Sequence, residues 1–366
     1  MKIGIPKEIK HEEHRVSLLP AAAAQLVKRG HQVLVERGAG VGSGYSDKEY
    51  EKAGARMIKG PADVFAEAEM IVKVKEPLKP ELKYLRPGQL LFTYLHLAAD
   101  RELTDGLLKS GVTGVAFETL AVNHRLPLLE PMSEIAGRMS IIVGSYFLAK
   151  HNGGSGVLVN GVPGVAPANV LVLGGGTAGF NAAHAAHGLG AQVTVLEVDA
   201  ERMSFIENTL PGVRTLYSSE TQVLDLLPTT DLLIGAVLLP GAKTPKLVRK
   251  DMLHLMRPGS VLVDIAIDQG GCVETSKPTT HTEPVFTVDG VTHYCVANMP
   301  GAYARTATQA LAGATYRYVQ LFADKGLKEA CRIQPSILSG INVQAGKITN
   351  KAVAEAHGLP LAEIVL

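Results

Sequence analysis

The sequence contains no tryptophan, and only 5% of its 366 residues are aromatic. So thin a supply of rings argues against a base-stacking nucleic-acid surface. An excess of charge is also missing: 36 Lys and Arg face 35 Asp and Glu, a formal net charge of +1. Such a balance draws in no polyanion or anionic membrane, so neither nucleic acid nor membrane is expected as a partner. Cysteine is scarce and odd in number, at Cys272, Cys295 and Cys331, with no C-x-x-C pair. That argues against a disulfide framework or a thiolate zinc site and for a reducing, cytoplasmic setting. Long apolar runs are absent too. Residues 139–149, bounded by Arg138 and Lys150, fall short of the ~18–20 residues that cross a bilayer. The charged start (Lys2, Lys7, Glu8, Lys10, Glu12, Glu13, Arg15) leaves no room for a signal-peptide apolar region.

What is present is an ordinary globular composition, 46% hydrophobic and 19% charged, in a chain long enough for two or three domains. Strand-like runs at 2–5, 32–36, 70–74, 89–94 and 113–117 alternate with helical patterns such as 21–29, 61–67 and 100–109. Ser133 reads as the N-cap of a long helix reaching about residue 150. Gly153, Gly154, Gly156, Gly161 and Gly164, with Pro163 and Pro167, then mark loops or a hairpin. A second series has strands at 170–173, 192–196, 214–216, 231–236, 260–264, 285–288 and 293–296. Helices are expected at 306–323, 327–332 and 350–357. The alternation predicts two doubly wound, mostly parallel α/β domains. The C-terminal piece has too few strands for a sheet of its own. It is expected to pack back on the first domain, giving a discontinuous substrate domain, 1–130 plus 306–366, around a Rossmann domain, 131–305.

The apolar run 170–173 leads into Gly174-x-Gly176-x-x-Gly179, followed by a helical pattern. This is the context a dinucleotide fingerprint requires. The first glycine permits a tight turn, the second lets a pyrophosphate approach the backbone, and the third allows close helix–strand packing. Glu197 ends the next strand, near the ~20-residue spacing at which an acid bonds the ribose hydroxyls; Asp199 is the less favoured substitute. An acid there repels a 2′-phosphate, which favours NAD over NADP, while Arg202 nearby tempers the preference. The competing reading is a glycine-rich turn with no ligand.

Ligands of open α/β sheets bind beyond the C-terminal strand ends, where four residues stand out. Arg15 can hold a carboxylate by two parallel hydrogen bonds, or be a surface arginine. Lys75 can bind a carboxylate or polarise a carbonyl; Lys73 is its same-face rival. His96 suits acid/base work near neutral pH, or is structural. Asp268, beside Gly270 and Gly271, supplies an anion or simply forms a turn. If the four face one cleft, they are equipped to oxidise an amine next to a carboxylate. His11 and His14, with Glu12 and Glu13, match no zinc spacing and read as a solvated loop. His184 and His187 read as packing or surface residues.

The chain resembles the alanine dehydrogenase family along nearly its whole length. The matching stretches are Gly4-Ile5-Pro6-Lys7-Glu8-Ile9-Lys10, Pro131-Met132-Ser133-Glu134-Ile135-Ala136-Gly137-Arg138 and the glycine turn. Further matches are Gly235-Ala236-Val237 with Pro240-Gly241-Ala242-Lys243, Val263-Asp264-Ile265-Ala266-Ile267-Asp268-Gln269-Gly270-Gly271-Cys272, and His293-Tyr294-Cys295-Val296-Ala297-Asn298-Met299-Pro300. The resemblance implies that Arg15 and Lys75 bind substrate and that His96 and Asp268 are catalytic. It implies NAD contacts from Ser133, Thr177, Ala178, Ser219, Val237, Leu238, Ile265, Ala266, Ile267, Asp268, Val296, Ala297, Asn298 and Met299. It also implies a homohexamer that converts L-alanine to pyruvate and ammonia. Glu197 departs from the usual Asp, and Arg202 from a Lys in some members. Leu321 and Lys325 occupy the helix on which some members carry magnesium, so no metal is expected. The alternative activity is the nucleotide-binding component of a proton-translocating transhydrogenase, which resembles the same family; a non-catalytic NAD-sensing module is a third reading.

Overall fold

The computed structural model describes residues 1–237 and 244–366. Two compact units emerge, Met1–Pro131 with Tyr303–Leu366, and Met132–Ala302. The strands of the first half are β1 (Lys2–Ile5), β2 (Gln32–Glu36), β3 (Arg56–Ile58), β4 (Met70–Val72), β5 (Leu90–Thr93), β6 (Thr113–Ala116) and β7 (Asn169–Leu173). There follow β8 (Gln192–Glu197), β9 (Arg214–Tyr217), β10 (Leu232–Gly235), β11 (Val261–Asp264), β12 (Val285–Val288), β13 (Val291–Tyr294), β14 (Ile341–Gln344) and β15 (Lys347–Ile348).

The first unit holds an eight-stranded sheet in the order β15-β14-β6-β5-β4-β1-β2-β3. Strands β1 to β6 are parallel, whereas β14 joins β6 antiparallel and β15 turns back on β14. The second unit has seven strands in the order β12-β13-β11-β10-β7-β8-β9, parallel except for β12. Both are α/β sheets covered on both faces. That explains strands that are apolar without a break. In β7, Val170 and Val172 point into one core with Ala182, Ala183 and Ala186, while Leu171 and Leu173 point into the other.

Three expectations are revised. The long helix runs Glu130–Leu148, so Ser133 lies one turn inside it and caps nothing. A tight turn in which Leu129 and Glu130 both donate to the Leu126 carbonyl starts the helix earlier, and Pro131 is tolerated because first-turn N–H groups have no helical partner. Strand β4 stops at Val72, although Lys73 N–H still reaches the Phe92 carbonyl at 3.2 Å. The two C-terminal helices form one element, Ala304–Ile333, broken at Gly326 (φ 72°, ψ 166°). Strands β3, β14 and β15 were not anticipated.

In the first unit the helix Ala304–Ile333 covers the sheet face that carries Phe92. Phe92 packs edge-on against Phe117 at 4.5 Å and Phe322 at 5.2 Å. No helix among the described residues is long and apolar enough to cross a membrane.

Candidate active site

In the first unit, β5, β4 and β1 are adjacent and parallel, so the segments after them emerge side by side. Arg15, Lys75 and His96 lie on those segments. The loop after β1 is pinned to β4: Ser17 donates to the Val72 carbonyl at 2.7 Å. Arg15 is buried, not a surface residue. Its Nε and Nη2 donate in a fork to the two Glu13 oxygens at 2.7 and 2.5 Å. Burial raises the Glu13 carboxyl, but hydrogen bonds and charge from Arg15 outweigh it and bring it from 4.5 to about 2. The acidic cluster near His11 and His14 thus has a use: Glu13 orients a guanidinium.

Lys73 and Lys75 part company. Lys73 is fully buried between Glu8 at 3.1 Å and Glu81 at 2.7 Å. Burial opposes its charge, yet the two flanking carboxylates outweigh that and hold its pKa above the usual value. Its ammonium belongs to the framework. Lys75 is half-buried, within electrostatic reach of Glu13. The Glu8 carboxylate also accepts from the Val74 N–H at 2.6 Å, which steadies the backbone entering Lys75.

His96 is exposed and has left-handed backbone, φ 50° and ψ 35°. For a non-glycine residue this costs about 1–2 kcal/mol. Its ring stacks on Tyr94, with centroids 5.7 Å apart and planes 12° apart. Tyr94 is itself fixed by donation to the Leu128 carbonyl at 2.6 Å. Glu118, just past β6, accepts from the His96 N–H at 2.6 Å and the Leu95 N–H at 3.2 Å. Tyr94 and Glu118 were not singled out from sequence, and Glu13, read there as part of a solvated loop, is buried. Glu118 satisfies the same criterion that selected His96, a polar residue just past a C-terminal strand end.

In the second unit the strand order reverses between β10 and β7, and the glycine turn follows β7. Gly174 has φ +92°, and a Cβ there would lie 3.0 Å from the Ala236 carbonyl oxygen. A Cβ on Gly179 would stand 1.8 Å from the Gly174 oxygen. A Cβ on Gly176 would meet no protein atom within 4 Å. The first and third glycines are therefore required by the protein itself, while the second faces open space. No hydrogen bond among the described residues engages the N–H groups of Thr177, Ala178 and Gly179 at the start of the helix Thr177–Gly188. These open donors and the vacant side of Gly176 fit a phosphate cradle.

Glu197 Oε2 accepts from the Gly175 N–H at 2.6 Å, and Oε1 from the Val198 N–H at 2.6 Å. The longer acid thus still reaches the turn. Arg202 donates to the Gly175 carbonyl at 2.5 Å and stacks on Phe180 and Phe205. Ser133 is partly buried in its helix, four residues before Gly137, whose Cβ would lie 2.2 Å from the Ala178 oxygen. Ser219 caps the helix Glu220–Leu226 by accepting from the Gln222 N–H at 3.2 Å. Val237 follows β10, and Ile265, Ala266, Ile267 and Asp268 form a 3-10 segment after β11. Val296, Ala297, Asn298 and Met299 follow β13, with Asn298 left-handed at φ 63°. Apart from Ser133, whose helix precedes β7, these segments follow the C-terminal strand ends of one sheet. Leu238 lies outside the described residues.

The turn near Asp268 is built by another acid. Buried Asp264 accepts from the Cys272 N–H at 3.0 Å, the Val273 N–H at 3.2 Å and the Ser276 hydroxyl at 2.6 Å. Gly270 and Gly271 supply the positive φ values. The Asp268 side chain is exposed.

A parallel sheet with an open glycine turn at its order reversal, and an acid closing the next strand, defines a dinucleotide-binding class of protein. Similarity narrows the class. The family description "Alanine dehydrogenase/PNT, N-terminal domain" fits residues 4–136, and "Alanine dehydrogenase/PNT, C-terminal domain" fits residues 140–351. An alanine dehydrogenase of Halomonas elongata is 54% identical over 365 residues, covering 99% of this chain and 98% of that protein. A solved L-alanine dehydrogenase is 49% identical with a TM-score of 0.94, covering 98% of this chain and 99% of the other. The transhydrogenase structure from Sinorhizobium meliloti is 26% identical with a TM-score of 0.82, covering 96% of this chain and all of that one (100%). The chain belongs to the alanine dehydrogenase/PNT family. A nicotinamide dinucleotide is the cofactor which that family and the second unit's fold imply.

Proposed function

We propose that this chain is an NAD-linked dehydrogenase that reversibly converts L-alanine to pyruvate and ammonia. The observation that carries the reading is the cationic site beside β1, β4 and β5. Arg15 is pre-oriented by Glu13, with Lys75 on the neighbouring segment. Fixing a guanidinium before substrate arrives lowers the entropy of recognising a small carboxylate. The full-length relatives named alanine dehydrogenase support the substrate; the transhydrogenase alternative rests on the more distant likeness.

In this reading Arg15 and Lys75 anchor the carboxylate, and Lys75 also polarises the carbonyl. His96 moves the proton of the water that adds at Cα, and Asp268 orients the amine or that water. Bound dinucleotide supplies the hydride acceptor. Its cradle would be Gly174, Gly176, Thr177, Ala178 and Gly179, with further contacts from Ser133, Glu197, Arg202, Ser219, Val237, Leu238, Ile265, Ala266, Ile267, Asp268, Val296, Ala297, Asn298 and Met299. NAD is favoured because the Glu197 carboxylate sits beside the turn, while Arg202 is tied to the Gly175 carbonyl. A cytoplasmic homohexamer completes the proposal.

One assay tests the core of it: reduction of NAD and of NADP with a panel of small L-amino acids. Alanine with NAD should give the highest kcat/KM. His96→Ala should abolish turnover yet bind NADH as wild type does; near-normal kcat would remove His96 from the mechanism. Sedimentation velocity checks the subunit number.

A further inference from the structure

We propose that Glu118 is a positioning residue which holds His96 in its working geometry. The inference rests on the reading of His96 as the acid/base. His96 is exposed, so no packing on all sides fixes its ring. Its direction is set instead by the backbone it leaves and by one stacking partner, Tyr94. That backbone is left-handed at φ 50°, a conformation disfavoured for any residue with a Cβ. The turn persists because both amides that would otherwise be loose meet one acceptor. The His96 N–H reaches Glu118 Oε1 at 2.6 Å, and the Leu95 N–H lies 3.2 Å from each oxygen. A carboxylate accepting backbone N–H groups makes strong, charge-assisted bonds. Glu118 is carried by the end of β6, paired in register with β5, so its carboxylate is presented from the sheet. Without it the strained turn relaxes, and the imidazole swings away while its chemistry stays intact.

This role differs from simple stability, because it predicts a loss confined to kcat. The full chain carrying Glu118→Ala, Glu118→Gln or Glu118→Asp is assayed for alanine-dependent NADH formation beside His96→Ala. NADH affinity is read by fluorescence titration. Misplacing a catalytic group by an ångström predicts a kcat loss on the order of 10–100-fold for Glu118→Ala, with alanine KM and NADH affinity within about twofold. Glu118→Gln should recover part of the rate: an amide oxygen at the Oε1 position still accepts from both amides, while the charge is lost and the NH2 group at the Oε2 position cannot accept from the Leu95 N–H. Glu118→Asp, one methylene short, should behave like the alanine variant and decides the matter if that variant fails to fold. Wild-type kcat in Glu118→Ala or Glu118→Asp, with His96→Ala inactive, overturns the role of Glu118 and leaves His96 standing. Equal losses in kcat and in both affinities also overturn it. An active His96→Ala overturns the reading beneath it.

Discussion

Arg15 and Glu13 show how much a buried pair constrains a single side chain. The fork between them is buried, with 2% and 0% of the two side chains exposed. Removing one partner of such a pair strands a buried charge, which costs about 3–5 kcal/mol. The pair also carries a pH dependence. The folded Glu13 carboxyl lies near 2, below its ordinary 4.5. Its contribution is therefore complete above about pH 4.5 and is lost as the pH falls toward 2. Linkage sets that contribution on the order of 3 kcal/mol. Urea denaturation across this window should show stability falling with acid, and Glu13→Gln should flatten the slope. No sequence pattern foretold the fork, because a Glu two residues before an Arg is as common on a solvated loop. Nor did pattern alone separate Lys73 from Lys75; burial between Glu8 and Glu81 did.

At the scale of elements, the glycine turn supports two opposite predictions. Gly179→Ala drives a Cβ to 1.8 Å from the Gly174 oxygen, so the helix Thr177–Gly188 must back away from β7 and the melting temperature should drop. Gly176→Ala meets no protein atom within 4 Å, at φ −60° and ψ −165° that alanine accepts. Its stability should stay within about 0.5 kcal/mol of wild type, while NADH affinity falls because the methyl group fills the phosphate approach. Differential scanning fluorimetry with and without NADH separates the two. The elements themselves were legible where burial on both faces imposed an unbroken apolar run. Strands β1, β2 and β12 end where the sequence says, and β7, β8 and β11 lie within a residue of it. Legibility failed where local signals were weak or contested. Strand β3 has three residues and little burial pattern, and β14 includes Asn342 and Gln344. Ser133 offered a good cap one turn after the helix had begun. The left-handed turn at His96 was invisible because its support, Glu118, comes from another strand.

Across the whole molecule, the first unit is assembled from two distant stretches of chain. Strand β14 pairs with β6 and shields what would otherwise be the bare edge of the sheet, and the short β15 closes the row. Removal of residues 341–366 should expose β6 as an unpaired edge, which invites pairing between chains. Loss of solubility with faster proteolysis of the first unit is the expected result, measured against the intact chain. The same interrupted layout sets an order of events at the ribosome. Residues 132–302 form a continuous stretch, so the strands of the second unit's sheet are all present once they emerge. The six parallel strands before them are made first, yet Phe92 waits for Phe322, and β6 waits for β14. At synthesis speeds of ~5–20 residues per second, the last stretch, residues 303–366, takes roughly 3–13 s to appear. For that interval the earliest part of the protein is the part still unfinished, and the later insert is the first to be able to fold.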